Sequence, residues 1–307
     1  MKTYTIYNHQ GKGDVFESAL RQHGYTRSEI GRAQVILMDV DAPGRMVRIN
    51  QQVKSNRSKV FCYPHSARPF VGWDGLFPSS PLTTASFIFA EGHRDVIRAY
   101  GYKKPLHTVG WAYTEIKPFH PVSEMRRVLF APIHPNRNGF LSGLDKAINA
   151  RTYQILLDMV DADQIELTVR HIQPLNIGGL WPDKRVAYVR GETNTKQMAD
   201  ADNADVVVSH QTYAWDCVAI GKPTVMMAEY EAPRNGGDEP TFKRVNSWEA
   251  YKELLMFPLD ILDTSSPYEL LVRACKTDAD IADWKRRMIG AEVFSPTKFV
   301  HALETYL

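Results

Sequence analysis

The sequence predicts an α/β protein with two domains, each built of parallel strands joined by helices. Two observations lead to this prediction. A chain of 307 residues is long enough for roughly two domains that each bury a core. Apolar runs of strand length, rich in β-branched residues, alternate with helix-length segments along most of the chain, as they do in βαβ units.

The composition is that of a globular protein, with 44% hydrophobic and 23% charged residues. No apolar run reaches the length of a membrane span. The first strand begins directly after Met1-Lys2-Thr3 without a signal peptide, so we expect a cytoplasmic protein. Cys62, Cys217 and Cys275 lack zinc spacing, and we expect them to be buried free thiols.

The small net charge of +2 hides an asymmetry between the two halves of the chain. Residues 1–120 carry 16 Lys and Arg against 9 Asp and Glu, whereas residues 121–307 carry 21 against 26. A basic first half indicates an anionic partner for that half. The alternative is an ordinary basic surface that only contacts solvent.

The first half is predicted to contain five strands and three helices. We place the strands at 4–8, 34–39, 59–63, 85–89 and 107–111, and the helices at 15–23, 45–54 and 92–100. A Gly-rich turn with Gly11, Gly13 and Asp14 follows the first strand and permits a tight turn or close approach to a ligand. It is not a complete G-x-G-x-x-G, so it is a weak dinucleotide signal.

Residues 116–124, with Pro118 and Pro121, are interpreted as a linker between domains 1–120 and 121–307. The second domain is predicted to have strands at 127–132, 164–170, 185–189, 205–209 and 223–227. Helices are expected at 141–160, 194–200, 213–220, 248–255, 267–275, 278–288 and 296–307.

One segment of the second domain, Asp202 to Met227, has the pattern of a complete βαβ unit. A β-branched strand is followed by the polar residues Ser209, His210, Gln211 and Thr212, then by a short helix that Gly221 ends. The polar turn therefore lies at the carboxyl end of a strand and the amino end of a helix. Free backbone N–H groups and the helix dipole favour a phosphate there.

This segment resembles the donor-binding unit of the GT-B transferases. The unit reads D-S-G-G-x-x-E-E-A-x-x-x-G-x-P in the UDP-GlcNAc 2-epimerase-like branch and S-D-Y-S-S-x-x-x-D-x-x-x-x-x-K-P in the CDP-glycerol transferase branch. Gly221-Lys222-Pro223 closes the helix as in both branches, and residues 127–135 resemble the strand that opens the family's second domain. The resemblance implies a GT-B fold, with two Rossmann-like domains facing each other across a cleft.

The resemblance also implies a set of donor-binding residues. Ser209, His210, Gln211 and Thr212 occupy the phosphate-turn positions, and Asp216 falls where the family places a carboxylate on the nucleotide ribose. The Gly-Gly or Ser-Ser pair is absent, and Gln211-Thr212 stands in its place. The structural alternatives are that Thr212 and His210 only cap the helix and that Asp216 only interacts with its dipole.

Further positive donors for the phosphates are expected from neighbouring loops, with a surface role as the alternative for each. They are His134, Arg170, His171 and Arg234.

The first domain is expected to supply the catalytic base and to bind the acceptor. His65 follows a strand and is the nearest match to the family's catalytic His, although Ser66 replaces the Gly after it. Asp14 is the second candidate and His9, which is also interpretable as structural, is the third. The expected acceptor-binding residues are Gly11, Gly13, Arg68 and Trp73. The letters of a DxD motif occur only at Asp39-Val40-Asp41, in a strand-to-turn boundary, so we expect no required metal or cofactor.

Four functions stay open at this point. The first is transfer of a sugar, from a UDP-sugar above all, to a hydroxyl of an anionic acceptor such as DNA with hydroxymethylated pyrimidines. The second is a CDP-glycerol-type or sugar transferase for a surface polymer. The third is an epimerase of the UDP-GlcNAc 2-epimerase kind. The fourth is a binding protein without catalysis.

Overall fold

The structure is a computed structural model of the protein. It describes residues 2–7, 13–38, 58–64, 83–99, 102–133, 143–171, 175, 180–191, 197–227 and 257–307. These residues form two compact units, one from 2–115 and 286–307, the other from 116–227 and 257–285.

The first unit contains a six-stranded sheet in which every pair of neighbouring strands is parallel. The order across the sheet is β2-β1-β3-β4-β5-β6. The strands are β1 (Thr3–Tyr7), β2 (Thr26–Arg27), β3 (Val35–Met38), β4 (Lys59–Cys62), β5 (Thr83–Ile88) and β6 (Leu106–Thr108). Helices α1 (Gly13–Gln22) and α2 (Glu91–Ala99) connect strands of this sheet, and a 3-10 turn spans Ile30–Arg32.

An aromatic cluster forms the core beside this sheet. The Phe16 ring on α1 stacks on Tyr63 at 4.8 Å between ring centroids. It meets Phe299 edge-on at 5.1 Å, and Phe299 in turn lies 4.7 Å from Phe87 of β5. Strand β3 is buried at all four residues, as expected for a central parallel strand that is covered on both faces.

The second unit contains a five-stranded sheet that is also parallel throughout, in the order β11-β10-β7-β8-β9. Its strands are β7 (Arg127–Ala131), β8 (Glu166–His171), β9 (Ala187–Arg190), β10 (Val206–Ser209) and β11 (Thr224–Met226). Among the described residues of the C-terminal half, the helices are α3 (Gly143–Asp161), α4 (Gln197–Asp202), α5 (Gln211–Ala219), α6 (Pro267–Ala274), α7 (Ala279–Met288) and α8 (Pro296–Glu304).

Strands β7 and β10 are the central pair of the second sheet. Every residue of β10 is buried, and so are the last four residues of β7. At the amino end of the pair the Asp205 carboxylate accepts hydrogen bonds from the backbone N–H of Arg126 and Arg127, at 3.0 and 2.7 Å. These bonds fix the register in which the two strands begin, Val206 beside Val128.

The sequence-based elements are confirmed over the described residues, with bounds that shift by a few positions. The two-residue strand β2 and the 3-10 turn are additions that the sequence did not predict, because elements this short have too little apolar periodicity to be recognised. The helices predicted at 45–54 and 248–255 lie outside the described residues.

The residue ranges of the two compact units differ from the predicted division of the chain at residue 120. Residues 286–307 belong to the first unit, where α8 contacts α1. The segment interpreted as a linker is fixed to the second unit, because the N–H groups of Lys117 and His120 donate to the carbonyls of Ala219 and Gly221. Among the described helices none is long and apolar enough to cross a membrane.

Candidate active site

The carboxyl edge of the second sheet has the geometry of a ligand site. The chain runs from β7 to β8 and β9 on one side, then returns to place β10 on the other side of β7. The carboxyl ends of β7 and β10 therefore border the point at which the strand order reverses. In open parallel sheets, ligands bind in the crevice at such a point.

Helix α5 begins at this edge, directly after β10. His210, the residue between them, has extended backbone angles of φ −132° and ψ 150°, and its side chain makes no capping hydrogen bond to the helix. The first-turn N–H groups of α5 therefore donate no hydrogen bond to the side chain that precedes them. Such groups, together with the positive end of the helix dipole, form a favourable site for an anion.

Two buried side chains hold the strand ends around this turn. The Ser209 hydroxyl donates to the carbonyl oxygen of Ala131 at 2.9 Å, and so joins the carboxyl ends of β10 and β7. The His210 ring is hydrogen-bonded through Nδ1 to the carbonyl oxygen of Met227 at 2.9 Å. Because a carbonyl can only accept, Nδ1 carries a proton in this arrangement. Both side chains thus fix backbone at the positions where the sequence predicted direct phosphate contacts.

Asp216 lies on α5 about one and a half turns from its amino end. Its exposure is only 6%, and the described residues around it on the helix, from Ala214 to Ala219, are all buried. Burial, followed by the negative charge of Asp216, raises the pKa of the neighbouring Cys217 thiol well above its ordinary value. Asp216 is thus a buried carboxyl group on the helix whose amino end borders the site, which makes it a candidate functional residue.

Arg170 is buried in the structure, with 1% of its surface exposed. Its Nε donates to the Asp200 carboxylate at 3.0 Å, and its guanidinium carbon lies 4.9 Å from the centroid of the Tyr213 ring. Gly191 makes room for it, since a Cβ there would lie 2.3 Å from the guanidinium carbon. Arg170 therefore packs against the first turn of α5 through the Tyr213 ring and supports that turn.

Known proteins resemble this chain in structure, whereas no match is found by sequence. No protein-family model matches the sequence, and no curated protein matches it. Among solved structures, the apo lipopolysaccharide outer core galactosyltransferase WaaB is similar over 100% of both chains, with a TM-score of 0.54 and 11% identity. A provisionally assigned UDP-N-acetylglucosamine 2-epimerase of Listeria monocytogenes is similar over 100% of this chain and 96% of its own, with a TM-score of 0.54 and 10% identity. MurG of Acinetobacter baumannii is similar over 99% of each chain, with a TM-score of 0.53 and 9% identity.

The chain has the GT-B fold. Both of its parallel sheets are Rossmann-like, which confirms the GT-B fold and the two Rossmann-like domains that the resemblance implied.

Within the GT-B fold, the predicted residues of the first unit follow strands of the first sheet. Gly13 is the buried first residue of α1, and Asp14 beside it is exposed in the first turn. This helix begins after β1, whose neighbours in the sheet are β2 and β3, so the order of strands also reverses there. The described residues Tyr63 and Pro64 lead from β4 to His65.

The remaining predicted residues divide into two groups. His171 is the half-buried last residue of β8, and its carbonyl accepts a hydrogen bond from the N–H of Gly191. The second group lies outside the described residues: His9, Gly11, His65, Arg68, Trp73, His134 and Arg234. Gln211 and Thr212 also belong to it, because the structure describes their place in α5 but not their side chains. Their proposed roles stay predictions. Within the described part of the chain no group of His, Cys, Asp and Glu could hold a metal ion.

The sequence did not reveal two residues that the structure places around the site. Asp200 pairs with Arg170 although 30 positions separate them, and no local pattern indicates such a pair. Asn149 is fully buried on α3 and contacts Ile133, two residues beyond the end of β7. A signal for Asn149 was present, since it falls on the helix face shared by Ile148, Thr152 and Leu156, where a polar residue is unusual.

We expect Arg170→Met to lower the free energy of unfolding by about 3 kcal/mol, because it leaves the Asp200 carboxylate without its partner. Urea unfolding followed by tryptophan fluorescence measures this change. Arg185→Met is the matched control, since Arg185 is 40% exposed in its pairs with Asp183 and Asp161 and should contribute less than about 1 kcal/mol. Equal urea midpoints for the Arg170 variant and the wild type would contradict the supporting role.

Proposed function

We propose that the protein is a glycosyltransferase that moves a sugar from a nucleotide-diphosphate donor to an acceptor hydroxyl. The observation that carries this proposal is that α5 begins without a side-chain cap at its amino end. This end lies at the carboxyl edge of β7 and β10 in a GT-B fold. Breaking the bond between a sugar and a diphosphate develops negative charge on the leaving oxygens. Fixed N–H groups stabilise such charge without reorganisation.

The donor in this proposal is a UDP-sugar. Its diphosphate accepts hydrogen bonds from the first-turn N–H groups of α5, and the Asp216 carboxylate accepts one from a ribose hydroxyl. His171 ends the neighbouring strand β8, and His134 and Arg234 complete the positive donors. The helix end provides the charge stabilisation that a metal ion supplies in other transferases, so the proposal requires no metal.

The acceptor in this proposal is anionic and is bound by the basic first half of the chain. His65 is the proposed general base, with Asp14 as the second candidate. Arg68 and Trp73 are suited to a phosphate backbone and a stacked base, and Gly11 and Gly13 to close approach of the acceptor. DNA that carries hydroxymethylated pyrimidines would present both the charge and the hydroxyl.

We expect Asp216→Asn to weaken nucleotide binding by roughly tenfold to a hundredfold, because a charge-assisted hydrogen bond to a ribose hydroxyl contributes about 1.5–3 kcal/mol. UDP, CDP and GDP are first compared by thermal shift, and the best is titrated by calorimetry. Asp158→Asn, an exposed position on α3, is the control. A folded Asp216→Asn protein with wild-type affinity would show that this carboxylate does not bind the ribose.

We expect His65→Ala to abolish sugar transfer and to leave nucleotide affinity unchanged, since the proposed donor residues belong to the second unit. Turnover with a UDP-sugar is measured with and without acceptor, which also detects an epimerase. His301→Ala, an exposed histidine of α8, is the control. Near-normal turnover of His65→Ala would move the base elsewhere, and Asp14→Asn would be tested next.

We expect charge reversal in the first half to weaken acceptor binding and to flatten its salt dependence. Each lost phosphate contact should reduce the slope of log affinity against log salt by about 0.9. Fluorescence anisotropy of a labelled DNA duplex with hydroxymethylcytosine measures the affinity and its salt dependence. The variants carry Glu at Arg45, Arg48, Lys54, Arg57 and Arg68. Charge reversal at three exposed positions of the second unit, Arg151, Lys184 and Lys276, is the control. Unchanged affinity and slope would reject an anionic acceptor of this kind.

A further inference from the structure

Asn149 is a buried polar residue of α3 that lies close to the end of β7. Its side chain is fully buried, and both ends of its amide contact the same residue, Ile133. The amide oxygen accepts from the N–H of Ile133 at 2.8 Å, and the amide nitrogen donates to the carbonyl of Ile133 at 3.0 Å. Asn149 thus satisfies both backbone groups of one residue, as a neighbouring strand would do.

Ile133 is two residues beyond the end of β7, where the central strand leaves the sheet. At this level the adjacent strand β10 ends at Ser209, whose hydroxyl bonds to Ala131. A single hydrogen bond fixes a distance, but two bonds from one planar amide also fix the orientation of the peptide groups they contact. Asn149 therefore sets the direction in which the chain leaves β7, beside the amino end of α5.

We propose that Asn149 is a positioning residue for the donor nucleotide. This inference rests on the proposed function, because it assumes that the nucleotide diphosphate binds at the carboxyl ends of β7 and β10. Asn149 does not contact the donor in this proposal. It acts through the backbone of Ile133, holding the end of β7 so that the site is already formed before the nucleotide arrives.

Thr152 provides a control on the same face of the same helix. It is also fully buried, and within the described part of the chain its hydroxyl has no hydrogen-bond partner. Thr152→Val keeps the shape of the side chain and removes the hydroxyl without touching Ile133. A general effect of altering a buried polar position on α3 should therefore appear in both variants, whereas a positioning effect should appear at Asn149 alone.

The experiment compares wild type, Asn149→Leu, Asn149→Asp and Thr152→Val. Leu keeps the branching of Asn at Cγ but offers no hydrogen bond, whereas Asp retains the acceptor for the Ile133 N–H and loses the donor. Each protein is first checked by circular dichroism and thermal unfolding. Calorimetry then gives the affinity of the folded protein for the best-bound of UDP, CDP and GDP.

We expect each Asn149 variant that folds to bind the nucleotide at least tenfold more weakly than wild type, and Thr152→Val to stay within about twofold. Asn149 variants that fold and bind like wild type would overturn the positioning role while leaving the proposed function intact. Failure of both Asn149 variants to fold while Thr152→Val folds would also overturn it, in favour of a purely structural role. A wild-type protein that binds none of the three nucleotides would overturn the proposed function and this inference with it.

Discussion

The pairing of β7 with β10 is the constraint on which the geometry of the second unit depends. The two strands are neighbours in space although they are separated by β8 and β9 in the chain. Side chains hold the pair at both ends, with the Asp205 carboxylate on the backbone of Arg127 at the amino end and the Ser209 hydroxyl on Ala131 at the carboxyl end. Because the register is fixed twice, the chain leaves both strands at one defined edge of the sheet.

Helix α5 transmits this constraint to the proposed nucleotide site. Cys217 packs on Leu129 and Val207 of the sheet, while the Trp215 ring meets Trp284 of α7 edge-on at 4.8 Å. At the other end of the helix Gly221 has φ +80° and lies so close to Pro118 that any side chain would collide with its carbonyl. A helix fixed on several sides presents its amino end without movement, and this preorganisation is what charge stabilisation requires.

Polar groups buried around the site orient backbone and neighbouring side chains. Ser209, His210 and Asn149 each hydrogen-bond to a backbone carbonyl, at Ala131, Met227 and Ile133. Arg170 is buried by pairing with Asp200 and lies against the Tyr213 ring. Each bond compensates the cost of removing a polar group from water, and each is directional. A site built from backbone N–H groups depends on such bonds, because the backbone must be held in place by something other than the ligand.

The sequence by itself determined the fold class, the order of the elements and the place of the β10–α5 turn, because these follow from apolar periodicity and from signals such as Gly221-Lys222-Pro223. The sequence also indicated that Ser209 to Thr212 span the junction of β10 and α5. It did not determine what their side chains do. Ser209 and Arg170 have residue types suited to binding phosphate, yet Ser209 bonds to Ala131 and Arg170 pairs with Asp200. Such partners are distant in sequence and become neighbours only when the strands take their order in the sheet. Only the tertiary structure could decide these roles, because a side chain's hydrogen-bond partner depends on packing that no local pattern encodes.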